Sequence, residues 1–367
     1  MKDKIVVVGG YGQVGQIICK DLGERFPGKI FAAGRSYDKA KQFCLKTNSK
    51  VLPLQMDVHE NKLSKDFFQE VFLVVMCLDQ QSPRFMERCL KEKIHYIDIS
   101  ASHEFLLKVR SMSSGMSSIE STAVLSVGLA PGVTNMLVKH SLQYLGQVHS
   151  ANIYLMLGLG EKHGRAAIEW MIDNMNAVFF IRDKGVKKQV RSFEDERKII
   201  FPDGLGQRST YRFNFTDQHV LPETLGIPSV STRICFDSAM ITNLIALLKK
   251  IGVLSLLHQP IFRRQVIKLF EKLNLGSDIY VAKVISEGII KEQAIRYECS
   301  IYGEKESYIT GKVAAFVAKR IYAKQYPPGI FHIEELFQWE DLFDELQTFI
   351  HFEEYKSDTN EIYHLQQ

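Results

Sequence analysis

The chain has 367 residues, 46% of them hydrophobic and 24% charged, and its 46 Lys plus Arg against 42 Asp plus Glu give a formal net charge of +4. That length accommodates two domains with buried cores. The near balance of scattered charges excludes a basic nucleic-acid stripe, and the composition excludes a disordered, collagenous or disulfide-scaffold chain.

The longest apolar candidate, 244–257, is broken by Lys249 and Lys250, so no membrane span is expected. The first residues pass from charges into a short strand-like run, which is not a secretory signal pattern. Cysteines at 19, 44, 77, 89, 235 and 299 form no Cys-x-x-Cys pair and no metal-ligand spacing with His. The expectation is reduced thiols, no metal and a cytoplasmic location.

In chain order, KIVVV (4–8) reads as a strand, GGYGQVG (9–15) as a turn and QIICKDLGERF as an amphipathic helix. Gly10, Gly12 and Gly15 fit G-x-G-x-x-G between strand and helix, the context in which that motif holds a dinucleotide pyrophosphate at a helix N-terminus. Gly10, Tyr11, Gly12, Gln13, Val14 and Gly15 are therefore cofactor candidates. A glycine turn of purely structural use is the alternative. Gly9, Gly12 and Gly15 also fit the spacing common in short-chain dehydrogenases, so the glycines indicate the fold more firmly than the family.

The second strand, KIFAA (29–33), is followed by Gly34, Arg35 and Ser36, where an NAD enzyme carries an acidic residue for the ribose hydroxyl. A guanidinium and a hydroxyl suit a 2′-phosphate, so NADP is expected rather than NAD. The alternative is that Arg35 is a solvated surface residue. VLPLQMDV (51–58) is a third strand ending at Asp57 and Val58, with Asp57 expected to face the adenine. VFLVVMCL (71–78) is a fourth, ending at Cys77 and Leu78. After a helix over 83–93, HYIDIS (95–100) is a fifth strand, ending at Ser100. Asp98, between Ile97 and Ile99, is read as fixing backbone. A helix over 103–118 and a sixth strand over 122–128 lead into GLAPGVTN (128–135), with Pro131 near the cofactor. The alternation predicts a Rossmann doubly wound parallel sheet in an α/β protein.

Three of these segments, GGYGQVG, HYIDIS and GLAPGVTN, together resemble the saccharopine dehydrogenase family, whose uncharacterised bacterial members share segments like 217–233 and 327–336. The resemblance implies NAD or NADP, hydride transfer to or from an imine at a C–N bond beside a carboxylate, a small amino-acid, imine or keto-acid substrate, and a homodimer. It covers the first ~145 residues best. Ala130 stands where saccharopine reductases carry Asp, so saccharopine itself is not inferred as substrate.

The rest reads as an α+β domain with a largely antiparallel sheet: strands over 150–160, 209–217, 229–237, 279–288 and 292–304, a hairpin within 184–201, and helices over 165–180, 239–251 and 261–273. The expected organisation is a nucleotide-binding domain over 1–135, a substrate and dimerisation domain over 136–305, and a C-terminal extension over 323–367, frayed after about 353. By analogy with the family, the helix over 309–322 returns to the first domain. Candidate acid or base groups are His163, His219 and Asp217. Candidate substrate contacts are Asn135, Arg165 and Arg233, although a surface or structural role is the plainer reading of each. Glu161 shares the loop of His163. Tyr37 and Lys41 match Y-x-x-x-K but follow the second strand, where they cannot reach a nicotinamide.

The function expected is an NADP-dependent oxidoreductase acting on an amino-acid-derived imine or amine. The alternatives are a carbonyl or C=C reductase on the same scaffold, and a non-catalytic NADP(H)-binding sensor.

Overall fold

The computed structural model describes residues 2–58, 65–116, 118–272 and 276–358, and divides the chain into two compact units. The first comprises Met1–Val133 and Ser307–Phe337, the second Thr134–Glu306 and Gln338–Gln367.

In the first unit the strands are β1 (Lys4–Val8), β2 (Ile30–Gly34), β3 (Val51–Gln55), β4 (Val71–Met76), β5 (His95–Asp98) and β6 (Thr122–Leu125). With the late strand Gly329–His332 they form a parallel sheet in the order late strand, β6, β5, β4, β1, β2, β3. The order reverses between β1 and β4, the switch point where doubly wound folds bind ligands at strand carboxyl ends. Ile5, Val7, Leu73, Val75 and Ile97 are fully buried. Parallel strands covered on both faces need such apolar runs. Pro53 is tolerated because β3 lies at the sheet edge.

Helix α1 (Gln13–Arg25) buries Gly15, Ile18, Cys19 and Leu22. The long helix Glu306–Ala323 lies against it, and a Cβ on Gly311 would come 2.7 Å from the Ile17 side chain. Lys312 and Lys319 both pair with Asp21. Burial opposes ionisation of Asp21, but these two lysines hold its carboxyl below its ordinary range.

The second unit contains β7 (Gln147–Leu157), β8 (Val178–Asp183), β9 (Val186–Arg191), β10 (Arg197–Phe201), β11 (Gly206–Arg212), β12 (Ser229–Phe236), β13 (Ile279–Ile290) and β14 (Gln293–Glu304). The late strand of the first unit is β15, and β16 is His351–Asp358. The main sheet has the order β10-β11-β12-β7-β13-β14-β16 and is antiparallel except where β12 pairs with β7.

Four expectations are corrected. The hairpin is β8–β9, turning at Lys184 and Gly185 with φ of 51° and 78°, the left-handed pair that a tight hairpin needs. Arg197–Phe201 instead joins the main sheet. The helix expected over 165–180 ends at Asn174, because Val178–Asp183 is β8. The strand expected over 209–217 stops at Arg212, and Asp217–Thr224 is a helix. The region 323–367 is not a separate extension: Gly329–His332 completes the parallel sheet, and β16 pairs along β14 as far as Asp358. Glu354 fixes β16 through the buried His140, whose Nε2 lies 3.1 Å from its carboxylate, and through Tyr297.

Candidate functional site

The glycine turn leaves β1 at Gly9, whose φ of 78° is a left-handed conformation. The N–H groups of Gly9 and Gly10 both donate to the Ala33 carbonyl, at 2.8 and 3.1 Å, which ties the turn to β2. A Cβ on Gly10 would lie 2.7 Å from Ala32 Cα, and one on Gly15 only 2.2 Å from the Gly9 carbonyl oxygen. Both glycines are therefore required by the fold. Gly12 differs. A Cβ there would meet one protein atom within 4 Å, the Gly9 oxygen at 3.0 Å. Gly12 caps α1 without a side-chain bond, and no acidic residue sits in the first turn. A helix start of this kind presents backbone N–H groups and the positive end of the dipole. The space above Gly12 thus has the form of a cradle for a diphosphate, and the residues present fit a dinucleotide.

At the end of β2 the Tyr11 ring covers Gly34, where a Cβ would come 2.5 Å from the ring. The Tyr11 hydroxyl accepts from the Ser36 N–H at 3.2 Å. Ser36 Oγ accepts from the Lys39 N–H at 3.4 Å and caps the helix α2 (Tyr37–Cys44), so this hydroxyl already serves the fold. Arg35 is exposed beside it, and its carbonyl accepts from Gln55 Nε2. Asp57 and Val58 lie half-buried just beyond β3.

Beyond β4 and β5 lies a buried polar network that the sequence showed only in part. Gln80, 6% exposed, donates through Nε2 to the Tyr96 hydroxyl at 2.7 Å and to Asp98 Oδ2 at 3.0 Å. Asp98 Oδ1 accepts from the Ser100 N–H at 2.7 Å. Burial pushes the Asp98 carboxyl up to about 7, against the Ser100 hydrogen bond. Cys77 is half-buried by surface exposure, but its thiol is pushed well up by desolvation, which makes it an unreactive neighbour. Leu78 is 42% exposed and packs at the turn, 3.0 Å from where a Gly9 Cβ would stand. Pro131 lies in the turn after β6, which the long helix holds through Thr310 Oγ1, acceptor of the Leu129 N–H at 3.2 Å.

In the second unit the candidates separate. Arg233 is fully buried in β12. Its guanidinium pairs with Asp195 at 2.6 Å and donates to Ser231 Oγ at 2.7 Å, and Arg212 shares the same carboxylate. Burial lowers the Arg233 pKa to about 10, with the Arg212 charge adding to the effect. Arg233 is therefore an internal ion-pair member and offers no fork to a substrate carboxylate. Asp217 is fully buried, its Oδ1 accepting from Thr232 Oγ1 at 2.5 Å and from the Gln218 N–H. His219 Nε2 bonds Asn214 Oδ1 at 2.7 Å, so both residues make bonds within the fold. Arg165 is exposed and pairs with Glu169 one helical turn on. Asn135 is buried in the helix Thr134–Leu142.

His163 is placed differently. It lies with Glu161 and Glu306 so that one ligand atom from each falls within 4.8 Å of the others, all three residues half-buried. Burial pushes the Glu306 carboxyl above its ordinary range. His163 opposes that shift and Glu161 adds to it. Glu306 escaped sequence reasoning because nothing local marks it.

Residues 5–123 match the family model described as the saccharopine dehydrogenase NADP binding domain. That segment of the chain is similar to this family. No curated protein matches it. Among solved structures, the fold of the chain is similar to that of an apo histidine-tagged saccharopine dehydrogenase (L-Glu forming) from Saccharomyces cerevisiae. The TM-score is 0.69 at 13% identity, over 96% of this chain and 100% of that one. A C. glutamicum DAP dehydrogenase in complex with DAP matches with a TM-score of 0.45 at 11% identity, over 95% and 99%. A probable dehydrogenase from Thermotoga maritima matches at 0.46 and 10%, over 94% and 93%.

Proposed function

We propose that the chain is an NADP-dependent oxidoreductase that transfers hydride to or from an amino-acid-derived imine or amine. The observation that carries this reading is the cradle at Gly12, set at the sheet's switch point within the segment that matches an NADP-binding family. The bound nicotinamide supplies the hydride chemistry. The chain's own residues bind and orient. The first turn of α1 receives the diphosphate. Arg35, exposed past β2, pairs with the 2′-phosphate. The Gln80–Asp98–Ser100 network fixes the ends of β4 and β5. Of the second unit's candidates, the Glu161–His163–Glu306 cluster is the one assigned to the substrate, because Arg233 and Asp217 are already engaged in the fold.

The test is a nicotinamide-fluorescence titration with NADPH and NADH, then a screen of amino-acid and keto-acid pairs for cofactor turnover. Tight NADPH binding with turnover of one pair supports the reading. Binding of neither nucleotide overturns it.

A further inference from the structure

Glu161 and His163 lie on the loop that follows β7, and Glu306 begins the long helix. Two carboxylates within 4.8 Å of each other and of an imidazole repel when ionised. The loop is not free to relieve this. A Cβ on Gly158 would come 2.3 Å from the Ser277 carbonyl oxygen, and one on Gly160 2.7 Å from that of Gly276, so the loop backbone lies directly on the neighbouring segment. The Gly160 N–H donates to the Ser277 carbonyl at 2.7 Å. The Asp237 carboxylate gathers the N–H groups of Leu159 and Ser277 and the Ser277 hydroxyl, at 3.3, 2.5 and 2.9 Å.

A second observation concerns Tyr280 in β13. It is 1% exposed, and among the described residues its hydroxyl makes no hydrogen bond. Burial weighs most on this hydroxyl, and the charges of Glu306 and Glu161 add to that effect. A buried hydroxyl without a partner costs about 1–3 kcal/mol. Such an atom, acted on by the charges of both carboxylates, is a donor that the fold leaves unused.

We propose that Glu161, His163 and Glu306 bind a divalent transition-metal ion, with Tyr280 as the positioning residue that donates to a ligating carboxylate. The proposal deepens the assignment of this cluster to the substrate. An imidazole with two carboxylates suits Mn²⁺, Fe²⁺ or Zn²⁺ better than Ca²⁺ or Mg²⁺. Nitrogen and oxygen ligands stand about 2.0–2.2 Å from such an ion, hence about 3–3.5 Å from one another. Binding requires the three side chains to close from the observed spacing to this one. Three protein ligands leave coordination positions open, and the carboxylate or amine of an amino-acid-class ligand fits there. No local spacing marks a metal site, because the third ligand is remote in the chain from the first two.

The experiment uses the full chain, stripped with a chelator and free of nucleotide. Mn²⁺ is titrated first, with free ion followed by paramagnetic resonance, then Zn²⁺ by calorimetry. Mn²⁺ prefers oxygen and nitrogen donors, which excludes the cysteines as its ligands. The expected result is one ion per chain, bound at least tenfold more weakly in His163→Gln and in Glu306→Gln. Tyr280→Phe should keep the stoichiometry and lose about tenfold in affinity, the usual effect of removing a group that orients a ligand. Thermal unfolding verifies that each variant is folded, and Glu161→Gln replaces Glu306→Gln if the latter is not. NADPH titration of the same variants should be unchanged, so a failed metal site is distinguishable from a failed nucleotide site. Absence of saturable binding of both ions overturns the proposal. So does full-strength binding in both the His163 and glutamate variants.

Discussion

Gly12 and Gly15 sit three residues apart in one turn, yet the same substitution should affect them oppositely. Alanine at Gly15 puts a methyl 2.2 Å from the Gly9 carbonyl oxygen and 2.8 Å from Gly10 Cα. Both are backbone atoms that β1 and β2 hold in place, so α1 must move by close to an ångström. Overpacking of this kind costs about 1–3 kcal/mol, or roughly 2–12 °C in Tm for a unit of this size. Alanine at Gly12 meets only the Gly9 oxygen, at 3.0 Å, and a shift of a few tenths of an ångström accommodates it. Its φ of −75° is ordinary for any residue. Gly12→Ala should therefore change Tm by less than about 2 °C, because no buried contact is lost. Its methyl nevertheless fills the proposed diphosphate cradle, and at least a tenfold loss of NADPH affinity, about 1.4 kcal/mol, is expected. Thermal unfolding and fluorescence titration of the two variants make the comparison. A Gly12→Ala chain that is stable and binds NADPH as well as wild type would refute the cradle.

Arg35→Ala should weaken NADPH by about 10- to 100-fold, the worth of one charge-assisted contact, and leave NADH within about twofold. Equal losses for both nucleotides would remove Arg35 from the 2′-phosphate. Asp98 makes stability depend on pH in a defined direction. Its carboxyl rises from an ordinary 3.8 to about 7 on folding, so the stability it contributes is complete below 3.8 and is lost as pH rises through about 7. The full span is about 4 kcal/mol. Wild type should thus lose Tm between about pH 4 and 7, and Asp98→Asn should flatten that slope. An unchanged slope would show that Asp98 is not its source. Arg233→Ala should destabilise the second unit by about 2–4 kcal/mol through a cavity and a broken buried pair. Once a substrate is known, its KM should be unaffected. A raised KM at unchanged Tm would restore Arg233 as a substrate contact.

The first unit was largely legible because its signals are local. Strands such as 71–76 are apolar on both faces, and the glycine spacing sits between a strand and a helix. The second unit was less so. The alternation of STYRFNFTD runs past the end of β11, because Phe213 and Phe215 are buried in an irregular segment that leads into a helix. Period two reports burial here, not pairing. Arg233 and Thr232 sit in β12, where seven of the eight residues are buried, so the arginine offered as a substrate contact turns inward with its polar neighbour and both are satisfied there. The C-terminal region looked like an appendage because neither its pairing with β14 nor its bond to His140 has a sequence signature.

The two histidines offered as acid–base groups show what decides between such candidates. His219 was favoured by its neighbour Asp217, but both are turned to the fold: Asp217 to Thr232 and Gln218, His219 to Asn214. Breaking those bonds to perform chemistry would leave buried groups unpaired, at about 1–3 kcal/mol each. His163 had no such recommendation. It stands with two carboxylates within 4.8 Å, on a loop whose glycines and Asp237 prevent relaxation. A fold needing only stability would gain by exchanging one of those carboxylates for an amide. Charge kept on a rigid frame is what the proposed cation site uses, and the Tyr280 hydroxyl, which makes no hydrogen bond among the described residues, is a donor available to it.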